Sequence, residues 1–358
     1  MLTRVHKILF ALLAVQAVLA AVVLSRRDDS TAHKPEAVLA GFDAAAVTQF
    51  AVYGKDGSKP GVTLAKHGDK WVVSSSFDYP VAEAKVSDLL TSIVKMSAAS
   101  PIATQASRHK QLHVDDTEFE RKLVITTARG DSTLLLGTQA GARRTAVRRG
   151  GDARVFAVSG LNVWSIGAEP RDWVDAGYLK IGPDDVDKIT IERDGVRNEL
   201  QRDGAQWKPS IAGAAIKLAA GETLDLAAIQ RIVTAATSIE LRAPGDPKRD
   251  ASKPTATIAI ERKAAQAAQA GSGAALGSGS AQAVPAGQAA PAPPAPTIID
   301  VIADGDSYWV HDRASPTAAL VDKAKLSDLV ELSREKLVTK PMPEAKPTTP
   351  PSPAQPHD

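Results

Sequence analysis

The stretch FDAAAVTQFAV, Phe42 to Val52, decides how this chain is read, because IGPDDVDKITI, Ile181 to Ile191, repeats its pattern. Phe42 falls on Ile181, Val47 on Val186, Phe50 on Ile189 and Val52 on Ile191. Each copy is a polar or acidic lead-in followed by alternating apolar residues, the mark of a half-buried strand. Working outward, VTLAKHGDKWVV (62–73) meets NELQRDGAQWKP (198–209), so that Gly68 and Trp71 correspond to Gly204 and Trp207. That pairing predicts a hairpin with a Trp on the returning strand. In VAEAKVSDLLTSIVKM (81–96), Val86, Leu89, Leu90 and Ile93 have the spacing of an amphipathic helix. Ile229, Ile232, Val233 and Ala236 follow the same rule in LDLAAIQRIVTAATSI (224–239).

The second half of each copy is rich in strand signals. RKLVITTARGDSTLLLG (121–137) predicts strand, turn at Arg129-Gly130-Asp131 and strand; RRTAVRRGGDARVFAV (143–158) predicts a hairpin turning at Gly150-Gly151-Asp152. SGLNVWSIG (159–167) reads as a short helix. TATIAIERK (255–263), TIIDVIADGDSYWVHDRASPTAALVD (297–322) and the closing helix KLSDLVELSREKL (325–337) are their counterparts. The expected fold class is α+β: two tandem repeats, each an antiparallel β-sheet with helices packed on one face, after an N-terminal transmembrane helix. Expected boundaries are 1–27 for an anchor or signal peptide, 28–40 for a stalk, 41–176 for the first repeat and 177–338 for the second. Residues 264–297, with GSGAALGSGS and PAPPAP, form a linker-like insertion in the second repeat, and 339–358 form a Pro-rich tail.

At the N-terminus, Arg4, His6 and Lys7 precede an apolar run from Ile8 to Leu24 that only Gln16 interrupts, and Arg26, Arg27, Asp28 and Asp29 end it. As a helix the run spans roughly 25 Å, slightly under the hydrocarbon thickness of a bilayer, which flanking Lys and Arg make up by snorkelling. Its length favours an uncleaved anchor with a cytoplasmic N-terminus; a cleaved signal peptide, with Val18 and Ala20 before the cut, is the alternative. Either way the bulk of the chain is expected outside the cytoplasm, in the periplasm or at the cell exterior.

The 358 residues carry a formal net charge of +2 and no cysteine. The charge gives no overall drive toward nucleic acid, and the missing cysteine excludes disulfides, thiolate metal sites, Cys nucleophiles and lipid-modified cysteine.

Trp71-Val72-Val73, Tyr79-Pro80, Glu83, Lys85-Val86 and Leu89-Leu90, with Leu134 to Gly137 and Arg154 to Val158 further on, resemble the pattern of domain of unknown function 4340. The resemblance runs from Phe42 to Val338 apart from the insertion. It implies an envelope protein associated in many cases with ABC-transporter systems of the gliding-motility type, and it implies no catalytic residues.

Several clusters are candidates for chemistry. His109 and His113, with Asp115 and Asp116 after them, have the i, i+4 spacing of metal ligands on a helix, but Lys110 stands where a metalloprotease helix carries Glu. The stretch is polar and reads more simply as an exposed loop, so no metal and no cofactor is expected. Arg143, Arg144, Arg148, Arg149 and Arg154 form a basic hairpin, the candidate partner-binding patch for lipid phosphate, anionic wall polymer or an acidic partner. Its plainer reading is a solvated hairpin whose alternate residues face water. Asp184-Asp185 reads as turn chemistry rather than an acid–base pair. Trp71, Trp207 and Trp309 suit a carbohydrate pocket, but their repeat-related placing favours core packing. No P-loop, nucleophile elbow or dinucleotide fingerprint is present. The expected function is a non-catalytic accessory or scaffold subunit of a membrane complex, such as an ABC transporter, held at the inner membrane through lipid contact. An envelope glycan-binding module or hydrolase is the alternative, and a passive spacer is a third reading.

Overall fold

The computed structural model describes residues 36–98, 100–263 and 294–339, with residues 13–16, 18 and 21 near the N-terminus. The chain divides into two compact units, one comprising residues up to Ser75 and Pro80–Trp173, the other Ser76–Tyr79 and the residues from Val174 onward.

The first unit is built on a nine-stranded sheet. Its strands are β1 (Val47–Tyr53), β2 (Val62–His67), β3 (Lys70–Val73), β4 (Tyr79–Pro80, of which Pro80 belongs to this unit), β5 (Pro101–Ala103), β6 (Arg121–Thr127), β7 (Gly130–Gln139), β8 (Arg144–Arg149) and β9 (Val155–Ser159). They stand in the order β4-β3-β2-β1-β6-β7-β8-β9-β5 and run antiparallel from β3 across to β5. Helix α1 (Glu83–Val94) lies between β4 and β5 in sequence.

The second unit repeats that plan. Its strands are β10 (Val186–Arg193), β11 (Val196–Asp203), β12 (Gln206–Ile211), β13 (Ala214–Ala215), β14 (Ala243–Gly245), β15 (Ala256–Arg262), β16 (Thr297–Asp304), β17 (Ser307–Asp312) and β18 (Ala318–Asp322), with helices α2 (Leu226–Thr237) and α3 (Lys323–Val330). The order β13-β12-β11-β10-β15-β16-β17-β18-β14 matches the first sheet strand for strand. The registers match too: Phe50 faces Leu64 and Ile125, and Ile189 faces Leu200 and Ile260. Phe50, Leu64, Leu123, Ile125, Ile189, Leu200, Ile258 and Ile260 are all buried. Such burial contributes about 1.5–3 kcal/mol per large aliphatic or aromatic side chain.

The α+β expectation needs correcting. Both units are mostly antiparallel β-sheet, and the helices do not form a layer over a sheet face. Helix α1 packs on the 3-10 turn Ala44–Ala46 that leads into β1; α2 packs on the equivalent turn Pro183–Asp185 and on α3. The amphipathic spacing was correctly placed, since Val86, Leu89 and Ile93 are the buried residues of α1. Its reach is smaller than expected: α1 and α2 seal turns, α3 packs beside α2 and on β17, β18 and β10, and hydrogen-bonded strands carry the architecture. The half-buried reading of β1 also fails in its centre: Phe50, Ala51 and Val52 are buried in succession, as are Ile189, Thr190 and Ile191. A run buried on both faces belongs to a strand covered on both sides.

Local chemistry explains the ends of the helices. Asp225 caps α2 by accepting from Ala228 N at 2.8 Å, whereas α1 has no side-chain cap and the Ala82 N–H donates to Trp173 O at 2.8 Å instead.

The expected anchor lies almost wholly outside the described residues; Leu13–Gln16, Val18 and Ala21 are described and helical. Among the described residues no helix is long and apolar enough to cross a membrane. Most of the stalk, the insertion through residue 293 and the tail from residue 340 also lie outside the described residues. The insertion and tail boundaries move slightly, since Thr297 opens β16 and Thr339 pairs with Thr223 in a short two-stranded ladder.

Candidate functional site

The five-arginine hairpin separates into two groups once folded. β8 is buried from Thr145 to Arg148, so it does not alternate between core and water as expected. Arg148 lies in the interior, where its guanidinium donates from Nε to Val114 O at 2.6 Å, from Nη1 to Asp152 O at 3.1 Å and from Nη2 to Asp116 Oδ1 at 2.5 Å. It is structural wiring, because it donates to two backbone carbonyls from the interior. Arg149 and Arg154 converge on Asp152, at 3.5 Å and 2.9 Å respectively. Hydrogen bonds from the Arg154 guanidinium and the Arg154 backbone N–H push the Asp152 carboxyl down to about 2.

Arg143 and Arg144 are different. Both are exposed, and neither forms a hydrogen bond or ion pair through its side chain with a described residue. They stand where the β7–β8 turn closes: the Ala140 N–H donates to Arg144 O at 2.8 Å, and Gly141 has φ +102°. Arg143 itself has φ +56°, a conformation that favours Gly or Asn and strains an arginine.

These two arginines line an open cleft of about 740 Å³ with Gln139, Thr145, Leu161 and Trp164. Trp164 is 84% exposed, the most exposed large apolar residue among those described. The local fold explains its direction. Residues Val163–Ser165 form a 3-10 turn, with Val163 and Ile166 buried on one side. With three residues per turn, the position after Val163 points away from that anchored side. Asn162 Oδ1 accepts from Trp164 N at 3.0 Å, the Ser165 hydroxyl donates to Asn162 O at 2.7 Å, and Arg121 Nε donates to Ile166 O at 3.1 Å. The turn is therefore held from both ends while the indole is left to solvent. Glu120 also lines the cleft, but Lys55 Nζ neutralises it at 3.0 Å.

Trp164 escaped the sequence reading, which placed SGLNVWSIG on a short helix and sought binding tryptophans elsewhere. The signal was the spacing of Val163 and Ile166, which leaves the intervening Trp on the outer side. The three tryptophans expected to pack in the core lie elsewhere. Trp309 is buried with Nε1 donating to Asp246 O at 2.9 Å, Trp207 is buried, and Trp71 stacks on Phe50 with ring centroids 5.4 Å apart.

The histidine cluster is the exposed loop expected of it only in part: Lys110, Gln111 and Asp116 are exposed, but His109 turns inward. His109 is buried with Nε2 2.8 Å from Ala153 O. His113 Nδ1 lies 3.0 Å from Glu120 Oε1 but outside hydrogen-bonding geometry. Asp115 accepts from the Thr117 N–H and hydroxyl, and Asp116 is taken by Arg148. The backbone of the segment is tied to β7, where Thr138 N donates to Leu112 O at 3.1 Å. Gly137 allows this approach, since a Cβ there would lie 1.9 Å from Leu112 O. Among the described residues no group of three or more His, Cys, Asp or Glu side chains is placed to hold a metal ion. Asp184 and Asp185 stand in the turn Pro183–Asp185, with Asp184 Oδ1 accepting from Arg202 Nη2 at 2.9 Å.

Fold and cleft together define a mostly β, two-unit protein with a cationic, Trp-bearing recess in its first unit. The chain belongs to the family described as domain of unknown function (DUF4340), matched over residues 71–256. No curated protein and no solved structure matches it.

Proposed function

We propose that this chain is a non-catalytic docking component of the cell envelope, held at the inner membrane by its N-terminal segment, with its bulk in the periplasm or cell exterior. The first unit receives a subunit of a membrane complex in the Trp164–Arg143–Arg144 cleft. The observation that carries this reading is the pairing of an 84% exposed indole with two arginines that have no side-chain partner among the described residues. Trp and Arg dominate the energetics of protein interfaces, and exposed Trp is costly unless covered. The family resemblance directs the search for the complex toward ABC-transporter assemblies of the gliding-motility type.

A glycan-binding role has one observation in its favour, the open face of Trp164. Hydrolysis has less, because the first-unit carboxylates with displaced titration are both held low, Asp115 by hydrogen bonds from Thr117 and Asp152 by those from Arg154. A general acid requires the opposite displacement.

The test is crosslinking and capture of the full-length protein from native membranes, beside a chain beginning at Ala40. Transporter subunits recovered only with the full-length form support docking. Wall glycan recovered with both forms, and no transporter subunit with either, overturns it.

A further inference from the structure

At a register position that lines the cleft in the first unit, the second unit carries a large, buried side chain. In β8–β9, Thr145 pairs with Val158 and Arg144 with Ser159; in β17–β18, Tyr308 pairs with Val321 and Ser307 with Asp322. Tyr308 thus occupies the register position of Thr145, and Lys323 follows β18 as Gly160 follows β9. Tyr308 is buried, with Lys323 Nζ 5.9 Å from its ring centroid. In the first unit the corresponding residues are a small hydroxyl and a glycine, and the space above them opens into the cleft. The buried apolar positions that close each unit correspond as well: Val163 and Ile166 follow β9 at the same intervals as Leu326 and Leu329 follow β18.

We infer that the first-unit cleft takes an aromatic side chain from an acidic segment of a protein partner, supplying in trans the ring that Tyr308 supplies within the second unit. This inference rests on the docking reading and names the chemistry of its partner. The floor is apolar, formed by the buried Leu161 and Val163, and suits a ring. Trp164 offers a face for edge or offset packing against that ring. Arg143 and Arg144 line the cleft without a side-chain partner among the described residues and complement carboxylates beside the aromatic residue, because carboxylate–guanidinium hydrogen bonds are charge-assisted and directional. Glu120 does not oppose an incoming carboxylate strongly, since Lys55 already pairs with it.

The experiment measures binding of a labelled Glu-Glu-Tyr-Glu-Glu peptide to the full-length protein in lipid nanodiscs, by fluorescence anisotropy at low salt. Its comparisons are Glu-Glu-Ala-Glu-Glu, Gln-Gln-Tyr-Gln-Gln and an oligogalacturonate. The tyrosine-containing acidic peptide is expected to bind, and loss of either the ring or the carboxylates is expected to weaken it roughly tenfold. Thr145→Tyr, which fills the space from within, and Trp164→Ala, at an exposed position, are each expected to abolish binding. Arg129→Gln, outside the cleft, is expected to leave it unchanged. Equal binding of all three peptides, binding that survives both cleft substitutions, tighter binding of the oligogalacturonate or no peptide binding overturns the inference. If the cleft substitutions remove a membrane partner in the capture experiment while no peptide binds, docking stands and the acidic aromatic segment falls.

Discussion

Thr145 and Tyr308 occupy one register position in two sheets of the same strand order, Thr145 opposite Val158 and Tyr308 opposite Val321. Thr145 lines an open cleft, whereas Tyr308 is a large side chain buried at the same position. Thr145→Tyr is therefore expected to fold, with unfolding free energy within about 2 kcal/mol of the parent, because the added ring has the cleft to occupy. Acrylamide quenching of tryptophan emission should fall as the ring shields Trp164. Unchanged quenching in a folded variant contradicts the equivalence.

The arginines of the hairpin should separate in a stability measurement. Arg148→Leu leaves the Val114 and Asp152 carbonyls without their donors, and is expected to lower the unfolding free energy by roughly 2–4 kcal/mol. Arg144→Leu, at an exposed position without a side-chain partner among the described residues, should change it by no more than about 0.5 kcal/mol. Urea melts of both variants check this, and similar losses for the two would contradict the assignment of Arg148 alone to the interior.

Gly137 and Gly54 offer a matched pair. A Cβ at Gly137 would meet Leu112 O at 1.9 Å and His113 O at 2.8 Å, whereas one at Gly54 would meet only Ala168 Cβ at 3.7 Å. Gly137→Ala must displace the His109–Val114 segment from β7 and is expected to cost roughly 2–3 kcal/mol. Gly54→Ala should lie near neutral. Thermal melts compare the two directly.

Asp152 gives the fold a dependence on acid. Its folded value is depressed to about 2 by Arg154, so its contribution is fully present above the ordinary Asp value near 4 and is lost as pH falls through 2. Asp152→Asn should lower stability at neutral pH by at most about 2 kcal/mol, the arginine partners being half exposed and screened. The deficit should shrink between pH 4 and 2, and denaturant melts across that window test the sign. A deficit that grows toward low pH would contradict it.

Much of the architecture was legible in local patterns. The repeat showed because each unit needs the same apolar residues at Val47, Phe50 and Val52, and at Val186, Ile189 and Ile191, to fill a strand centre. The hairpin turns showed because Gly68, Gly204 and Gly151 adopt positive φ. The dominance of sheet over helix did not show, because an amphipathic segment such as Glu83–Val94 reads alike whether it covers a sheet or a single turn. The candidate site was half legible. Arg143 and Arg144 were in the predicted patch, but sequence alone does not reveal that Arg148 turns inward or that Asp152 neutralises its neighbours. Trp164 was hidden because the spacing of Val163 and Ile166 that turns it outward is a single interval, too short to stand out from a short apolar stretch.

The central claim is that a partner of the membrane complex sits on Trp164. The most direct measurement replaces Trp164 with a photocrosslinking phenylalanine analogue in the full-length protein, irradiates native membranes and identifies the attached species by mass spectrometry. A parallel sample carries the same analogue at Phe77, exposed and in the second unit. The account predicts a transporter subunit attached at position 164 through an acidic, aromatic-containing peptide and absent from the sample labelled at position 77. Attachment of wall glycan at 164, or the same products from both positions, would contradict it.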